Sequence, residues 1–290
     1  MRWVVIEDLG DFLGVAGTFL HSRPVLHTVP LTVTETLRAR GPHAYGTEAP
    51  VFGVLEGAAG AVHGAWFRTP PYRLTLTPLA VAETEQTAML EALAEQLAGL
   101  GHALPGVSAE QATAGAFAEA WQRRTGAKAE LRQRQRLYRL GELTPPSPTP
   151  QGRARVAGAR DSELLVRWHE EFAEAVGNVA AGDAESWADA RIRSGGVVLW
   201  ETQDGVPVSM AGTHPMVAGQ VRVAPVYTPA GFRGRGYAGA ATATASRTAR
   251  AAGAEEVLLF ADLANTTSNG LYRRLGYREV ADFEVHDFLA

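Results

Sequence analysis

The residues best equipped for chemistry lie late in the chain, from Val226 to Gly239, Val-Tyr-Thr-Pro-Ala-Gly-Phe-Arg-Gly-Arg-Gly-Tyr-Ala-Gly. The stretch follows an apolar-alternating run, Gln220 to Tyr227, that reads as a strand. It opens into an alanine-rich run, Ala240 to Ala252, that reads as a helix. A helix start leaves backbone N–H groups without partners and carries the positive end of the macrodipole, so a phosphate accepts several hydrogen bonds there at once. Gly234 and Gly236 remove Cβ atoms that would block close approach and permit positive φ. Arg233 and Arg235 add charge in a planar fork suited to phosphate oxygens. Strand, glycine-rich loop and helix in that order make an anion site.

A dinucleotide is one ligand for such a loop, because Gly234-x-Gly236-x-x-Gly239 satisfies G-x-G-x-x-G. That fingerprint belongs to a tight turn after the first strand of a large α/β domain, with an acid at the end of the next strand. Here the loop comes late, Pro229 to Phe232 separate strand from glycines, and Glu255 and Glu256 precede the next strand. The other ligand is the pyrophosphate of a coenzyme. Arg233-x-x-Gly236-x-Ala238 resembles the R/Q-x-x-G-x-G/A signature of the GNAT superfamily of N-acetyltransferases, where the loop grips the pyrophosphate of acetyl-CoA. Asn265-Thr-Thr-Ser268-Asn-Gly-Leu271-Tyr272-Arg-Arg-Leu275-Gly276-Tyr277 resembles the second signature of that superfamily, N-x-x-S-x-x-L-Y-x-x-L-G-Y/F, in the same order and spacing.

The elements that must position these residues follow a linker, Thr144 to Gly152, where four prolines at 145, 146, 148 and 150 favour an extended connector. After it come a strand over Arg153 to Arg160 and an amphipathic helix, Ser162 to Val176, capped by Asp161. A loop over Gly177 to Gly182 precedes a second helix, Asp183 to Ser194. A hairpin follows, Val197 to Thr202 and Val206 to Thr213, turning at Gln203-Asp204-Gly205. Beyond the glycine loop and its helix lie a strand over Val257 to Ala261, a short helix over Ser268 to Leu275, and a strand pair around Tyr277 to Glu279 and Phe283 to Phe288. This is the order the resemblance implies.

The first half repeats the pattern. Val51 to Glu56 matches Val197 to Glu201, Tyr72 to Thr77 reads as a strand, and Glu83 to Leu100 is a helix in the slot of the glycine-loop helix. Trp121-Gln-Arg-Arg-Thr-Gly126 aligns with Leu271-Tyr-Arg-Arg-Leu-Gly276 at an offset of 150 residues, about half the chain. The expected fold class is therefore α/β (α+β), two tandem GNAT-like domains, each a mixed, mostly antiparallel sheet flanked by helices. The expected divisions are residues 1–144, a linker over 145–152, and a catalytic domain over 153–290. The copies are not chemically equal. In place of Arg-Gly-Arg-Gly the first has Pro78 to Glu85, without glycines and with carboxylates at the helix start, which would repel a pyrophosphate. Gln122 stands where the second copy has Tyr272. The first copy is expected to lack the CoA site, as in GNAT proteins whose first domain is degenerate.

The resemblance assigns roles residue by residue. Backbone groups of Val226, Tyr227 and Thr228 pair with the pantetheine arm and the thioester oxygen. Arg233, Gly234, Arg235, Gly236, Tyr237 and Ala238 hold the pyrophosphate. Tyr272 is the general acid that protonates the departing sulfur, or else a tyrosine packed under the sheet. Asn265 and Ser268 contact the pantetheine or cap the short helix. The co-substrate is acetyl-CoA, and the acceptor is a small-molecule or peptide amine that attacks the thioester directly. Glu170, Glu171, Glu174, His214 and Asp262 are within reach of an acceptor cleft, and none stands out as a base. A CoA-binding sensor without turnover is the alternative, and the retained Tyr272 beside the retained loop favours the enzyme.

Bulk composition sets bounds. In 290 residues, 46% hydrophobic, with mean hydropathy −0.08, two ordinary globular domains fit. A net charge of −4 and pI near 6.1 give no reason to expect nucleic acid or an anionic membrane as partner. The chain has no cysteine, which excludes disulfides, thiolate catalysis and cysteine metal sites and fits a reducing cytoplasm. Glu7, Asp8 and Asp11 break any apolar core of a leader, no run is long enough to span a bilayer, and the eight histidines show no zinc-ligand spacing, so no metal is expected. His21 and His27 are further cleft candidates. Arg132, Arg134 and Arg136 alternate on one face of a strand, as exposed edge decoration or as an anion site. A monomer or homodimer is expected.

Overall fold

The computed structural model describes residues 1–101, 103–176 and 184–289. The loop expected over 177–182 and the first residue of the helix after it lie outside the described residues. The first half forms β1 (Arg2–Ile6), α1 (Leu9–Ser22), α2 (Thr28–Arg40), β2 (Val51–Glu56), β3 (Val62–Arg68), β4 (Leu74–Leu76), α3 (Glu83–Gly99), β5 (Gly106–Glu110), α4 (Gln111–Thr125) and β6 (Lys128–Leu140). The second half repeats that order with β7 (Arg153–Val156), α5 (Ser162–Ala175), α6 (Ala184–Arg193), β8 (Val197–Glu201), β9 (Pro207–Thr213), β10 (Gln220–Tyr227), α7 (Tyr237–Ala251), β11 (Glu256–Asp262), α8 (Thr266–Arg274) and β12 (Tyr277–Leu289).

The pairing repeats as well. β1 to β4 pair antiparallel in sequence order, and β4 then pairs parallel with β5 at Leu74 with Val107 and Thr75 with Ser108. β7 to β10 pair antiparallel in the same way, and β10 pairs parallel with β11. Each parallel pair encloses one long helix, α3 or α7, as a crossover between parallel strands requires. The chain thus carries one α/β fold twice, with a mixed, mostly antiparallel sheet in each copy.

Two compact units are present, and their boundaries differ from the expected ones. The first consists of residues 1–136, 262–264 and 281–290; the second of 137–261 and 265–280. Residues 137–143 therefore belong with the second copy, where Tyr138 and Leu140 enter its core and the Gly141 N–H donates to the Gly276 carbonyl at 3.0 Å. The proline-rich stretch also belongs to the second unit, and the Trp200 indole donates to the Gln151 carbonyl at 3.2 Å. Residues 281–289 belong with the first copy, where Phe283 to Asp287 pair antiparallel with β5 and Phe288 stacks on Trp121 at 5.7 Å. The two closing strands expected at 277–279 and 283–288 are accordingly one strand, β12.

Within the first unit, the arginine row of β6 meets a row of acids on β12. Arg136 holds Asp282 through two hydrogen bonds of 2.6 and 2.8 Å, Arg134 reaches Glu284 at 3.0 Å, and Arg132 lies 3.9 Å from Asp287. These charges are answered by protein carboxylates, so the row is neither bare edge decoration nor a phosphate site. The Arg136 guanidinium holds the Asp282 carboxyl below its usual range.

In the second unit the sheet is covered on both faces. On one, Leu165 and Trp168 of α5 pack on Val197, Leu199, Met210 and Tyr227. On the other, Ala240, Ala241, Ala243, Ala245 and Ala249 of α7 pack on Val198, Val208, Val221 and Val223, the small side chains letting the helix lie close to the strands. Asp161 does not cap α5 as expected. Its carboxylate accepts from the Gly158 N–H at 2.8 Å and from Arg155 at 2.6 and 2.7 Å, and Arg155 also reaches the buried Glu201. Hydrogen bonding to Arg155 is the largest influence holding both carboxyls below their usual range, with burial working against it.

Carboxyls depressed in the folded state contribute stability above their unfolded pKa and lose it as pH falls through the folded value. Arg155→Met is therefore expected to cost about 2 kcal/mol at neutral pH, by removing the guanidinium that bonds both buried carboxylates and leaving Glu201 only the longer contacts to Arg153 and Arg160. Denaturant unfolding checks this: the gap to the parent protein should be full at pH 7 and shrink as pH falls below the ordinary carboxyl range and on through the lowered folded values of Asp161 and Glu201.

Candidate functional site

The site begins where two strands part. β10 and β11 pair over Gln220 with Glu256, Val221 with Val257 and Arg222 with Leu258, and the pairing stops there although both strands continue. On its other side β10 stays joined to β9 but shifts register between Val223 and Val226. The bulge comes so near β9 that a Cβ on Gly212 would lie 2.7 Å from the Ala224 carbonyl oxygen, and Pro225 removes one backbone donor. From Val223 onward the β11-facing side of β10 is thus open to a ligand chain.

Of the three residues expected along that chain, Val226 packs toward α7 and Tyr227 toward α5. Their carbonyls are only partly available. The Ser209 hydroxyl donates to the Tyr227 carbonyl at 3.0 Å and lies 2.8 Å from the Thr228 hydroxyl, and Arg233 Nε donates to the Thr228 carbonyl at 3.0 Å. Ser209 had no motif to mark it in the sequence.

Beyond β10 the chain makes a single 3₁₀ turn, Ala230–Phe232, and enters the exposed loop Arg233 to Gly236. Gly234 and Gly236 both adopt the left-handed region, φ 76° and 82°, and Gly236 is the residue that caps α7. With no side chain at that position and no acid in the first turn, α7 presents its initial N–H groups, Tyr237 and Ala238 among them, without side-chain competition. α7 starts at Tyr237, three residues before the expected start, which brings those donors into the loop. The loop is backed by the proline-rich stretch: a Cβ on Gly236 would lie 3.8 Å from Pro150, and one on Gly239 would lie 3.2 Å from Pro146. The backbone thus forms a glycine-lined cradle of the kind a pyrophosphate fits, with Arg233 and Arg235 at its rim.

α8 carries the second cluster. Asn265 is its cap and accepts from the Ser268 N–H at 3.0 Å, so the capping role falls to Asn265 and Ser268 is the capped residue. Asn269, buried on the same helix, bonds the Asn265 carbonyl and accepts from the Tyr138 hydroxyl at 2.8 Å. Tyr272 is buried on the α7 side of the sheet, between Tyr138 and Tyr277, with ring centroids 6.4 and 6.0 Å away. Burial pushes its phenol up to about 12. It is therefore both a core residue and a phenol that stays protonated at neutral pH, as a proton donor must.

The remaining candidates separate. Glu171 alone among the α5 acids has a recorded bond to β10, accepting from the Tyr227 hydroxyl at 2.8 Å. Glu170 and Glu174 are exposed. His214 lies beside Arg222, and burial, then the charges of Arg222 and Arg191, hold its imidazole well below the ordinary value. Asp262 belongs to the first unit, where its oxygens accept from Gln133 at 2.9 Å and the Ala264 N–H at 2.8 Å. His21 and His27 also lie in that unit; His27 is fully buried, and burial brings it down to about 4. Among the described residues no group of three or more His, Asp or Glu could hold a metal ion, and no helix is long and apolar enough to cross a membrane.

At the equivalent place the first unit has no glycine cradle. α3 begins with Glu83 and Glu85 in its first turn, and the Thr77 hydroxyl accepts from the Ala65 N–H at 2.9 Å, tying the end of β4 to β3.

Comparison with known proteins agrees with this geometry. The model of the acetyltransferase (GNAT) family matches residues 163–277. No curated protein matches the sequence. Among solved structures, a GCN5-related N-acetyltransferase from Sphaerobacter thermophilus aligns with 98% of this chain and 95% of its own, at TM-score 0.63 and 18% identity. A GNAT-family acetyltransferase from Colwellia psychrerythraea aligns over 100% of both chains, at TM-score 0.62 and 12% identity. A tandem GNAT protein from the clavulanic acid biosynthesis pathway aligns over 98% of this chain and 97% of its own, at TM-score 0.57 and 13% identity. At such identities the structures speak to the fold, and they extend it to the residues before 163. Residues 163–277, which hold the parted strands and the glycine cradle, thus match the GNAT acetyltransferase family, and the chain as a whole shares its fold with acetyltransferases of that family.

Proposed function

We propose that the protein is an acetyl-CoA-dependent N-acetyltransferase that acts on a primary amine by direct attack, with its chemistry confined to the second copy. The observation that carries this reading is the parting of β10 from β11 ahead of a helix that is capped by a glycine and has no side-chain cap. Acetyl-CoA supplies the activated thioester. The backbone of β10 would line up the pantetheine arm, and the loop from Arg233 to Ala238 would hold the pyrophosphate. Preorganised backbone donors are the economical way to stabilise oxygen charge that develops during attack, because they need no reorganisation at that moment.

The two faces of the sheet divide the remaining work. Tyr272 lies on the α7 side and would deliver a proton to the departing sulfur. The α5 side carries Tyr227 and Glu171 and would receive the acceptor, so attack and leaving-group protonation come from opposite sides of the same opening. The acceptor is a small-molecule or peptide amine, and nucleic acid and membrane play no part. The first copy, with acids at the start of α3, would bind no CoA. A cytoplasmic monomer or homodimer fits this reading.

Three outcomes follow. Arg233→Ala combined with Gly236→Ala removes a charge-assisted donor and strains the left-handed cap, so calorimetry with CoA should show affinity falling about 100-fold or more while the far-UV spectrum is unchanged. Tyr272→Phe should lower turnover about 100-fold with CoA affinity nearly unchanged; an unchanged rate would remove Tyr272 from the acid role. Calorimetric titration should also give one CoA per chain, and a stoichiometry of two would place a working site in the first copy. Because the chain has no cysteine, thiol release against a panel of amines reports CoA alone. Binding without release on any amine would leave a CoA sensor in place of an enzyme.

A further inference from the structure

The acceptor side of the opening carries one carboxylate that the fold holds in place. Glu171 sits in the third turn of α5, one helical turn after Trp168. Trp168 is buried against β8 to β10, and its ring meets the Tyr227 ring edge-on at 6.1 Å. Tyr227 ends β10, immediately before the loop, and its hydroxyl donates to Glu171 Oε2 at 2.8 Å. Burial raises the Tyr227 phenol, with the Glu171 bond acting in the same direction and the nearby Arg233 guanidinium opposing both, and the hydroxyl remains a donor at neutral pH. One phenol satisfies only part of a carboxylate that can accept about four hydrogen bonds. The second oxygen, Oε1, has no recorded partner, and no Arg, Lys or His forms an ion pair with Glu171 among the described residues. A half-buried carboxylate beside two aromatic rings is suited to a cation that brings its own N–H donors.

Resting on the acetyltransferase reading above, we infer that Glu171 is the specificity-determining residue for the acceptor, receiving a protonated primary amine on the α5 side of β10. Tyr227 is the positioning residue that fixes the Glu171 rotamer. The substrate class is accordingly an amine that arrives as an ammonium ion, as aliphatic amines and lysine-like side chains do near neutral pH.

The test uses the full chain and 1,4-diaminobutane as probe amine. Calorimetry with CoA comes first: failure of the parent protein to bind CoA overturns the acetyltransferase reading and this inference with it. With CoA binding intact, thiol release is measured for the parent, Glu171→Gln, Glu171→Asp, Tyr227→Phe and, as a control on the first turn of the same helix, Glu163→Gln. Glu171→Gln should raise the KM for the diamine about 30-fold while the KM for acetyl-CoA changes by less than about twofold. Glu171→Asp should recover part of that loss, Tyr227→Phe should show a smaller rise, and Glu163→Gln none. A diamine KM unaffected by Glu171→Gln, or an equal rise in both KM values, overturns the assignment. If CoA binds and the diamine gives neither thiol release nor line broadening of its proton resonances with the CoA-loaded protein, a cationic acceptor is ruled out.

Discussion

The second copy depends on one constraint: β10 and β11 can pair only as far as Arg222 and Leu258. Backbone donors and acceptors beyond that point must find other partners, because unpaired groups inside a protein are costly. On one side the register shift at Val223 to Val226 lets β10 stay with β9. On the other, the strands offer their main chain to a ligand, and the glycine loop follows at the place where the ligand's phosphates would lie. The open backbone and the cradle are consecutive parts of one feature.

The first copy shows what the same fold becomes without that feature. Both copies have one parallel pair closed by one long helix, β4–α3–β5 and β10–α7–β11. In α3 the first turn carries Glu83 and Glu85, which satisfy the dipole with the protein's own charge, whereas α7 has no acid in its first turn and a left-handed glycine as cap. The same architecture therefore leaves a positive helix end open in one copy and covers it with carboxylates in the other. The first copy retains a structural use for its acids and bases, in the row where Arg134 and Arg136 meet Glu284 and Asp282.

The second copy also separates its polar groups by face. The α7 side is dry, with alanines, valines and the tyrosines 138, 272 and 277, whose hydroxyls are spent on Asn269 and Ser246 in two of the three cases. Burial there keeps phenols protonated. The α5 side mixes aromatic rings with a carboxylate that is partly exposed. A sheet opening between a dry face that holds a proton and a polar face that can hold a cation suits transfer of an acyl group to an amine.

Much of this was legible before any coordinates. Helical spacing in Ser162 to Val176, the Trp121 and Leu271 segments at a common offset, and the loop of Arg233 to Ala238 are local patterns, and local chemistry sets them: periodicity places helices, and glycine alone tolerates the cradle's φ values. What lay outside local chemistry was decided by tertiary structure. Nothing in the residues around Ala281 shows that β12 continues unbroken from one unit into the other, that residues 137–143 pack with the second copy, or that the arginines of β6 would find acids some 150 residues away in sequence. Asp161 reads as a helix cap because caps are local, and it goes to Arg155 because a partly buried guanidinium on the preceding strand is the stronger partner. Among five candidate acids and bases near the acceptor, the sequence could rank none, since reach depends on how α5 crosses the sheet; that crossing alone singled out Glu171 at the end of β10. Sequence by itself determined the repeated fold and the glycine loop, because both are written in neighbouring residues. The side chains that face the opening were settled only by long-range packing, which brings residues distant in the chain within hydrogen-bonding distance.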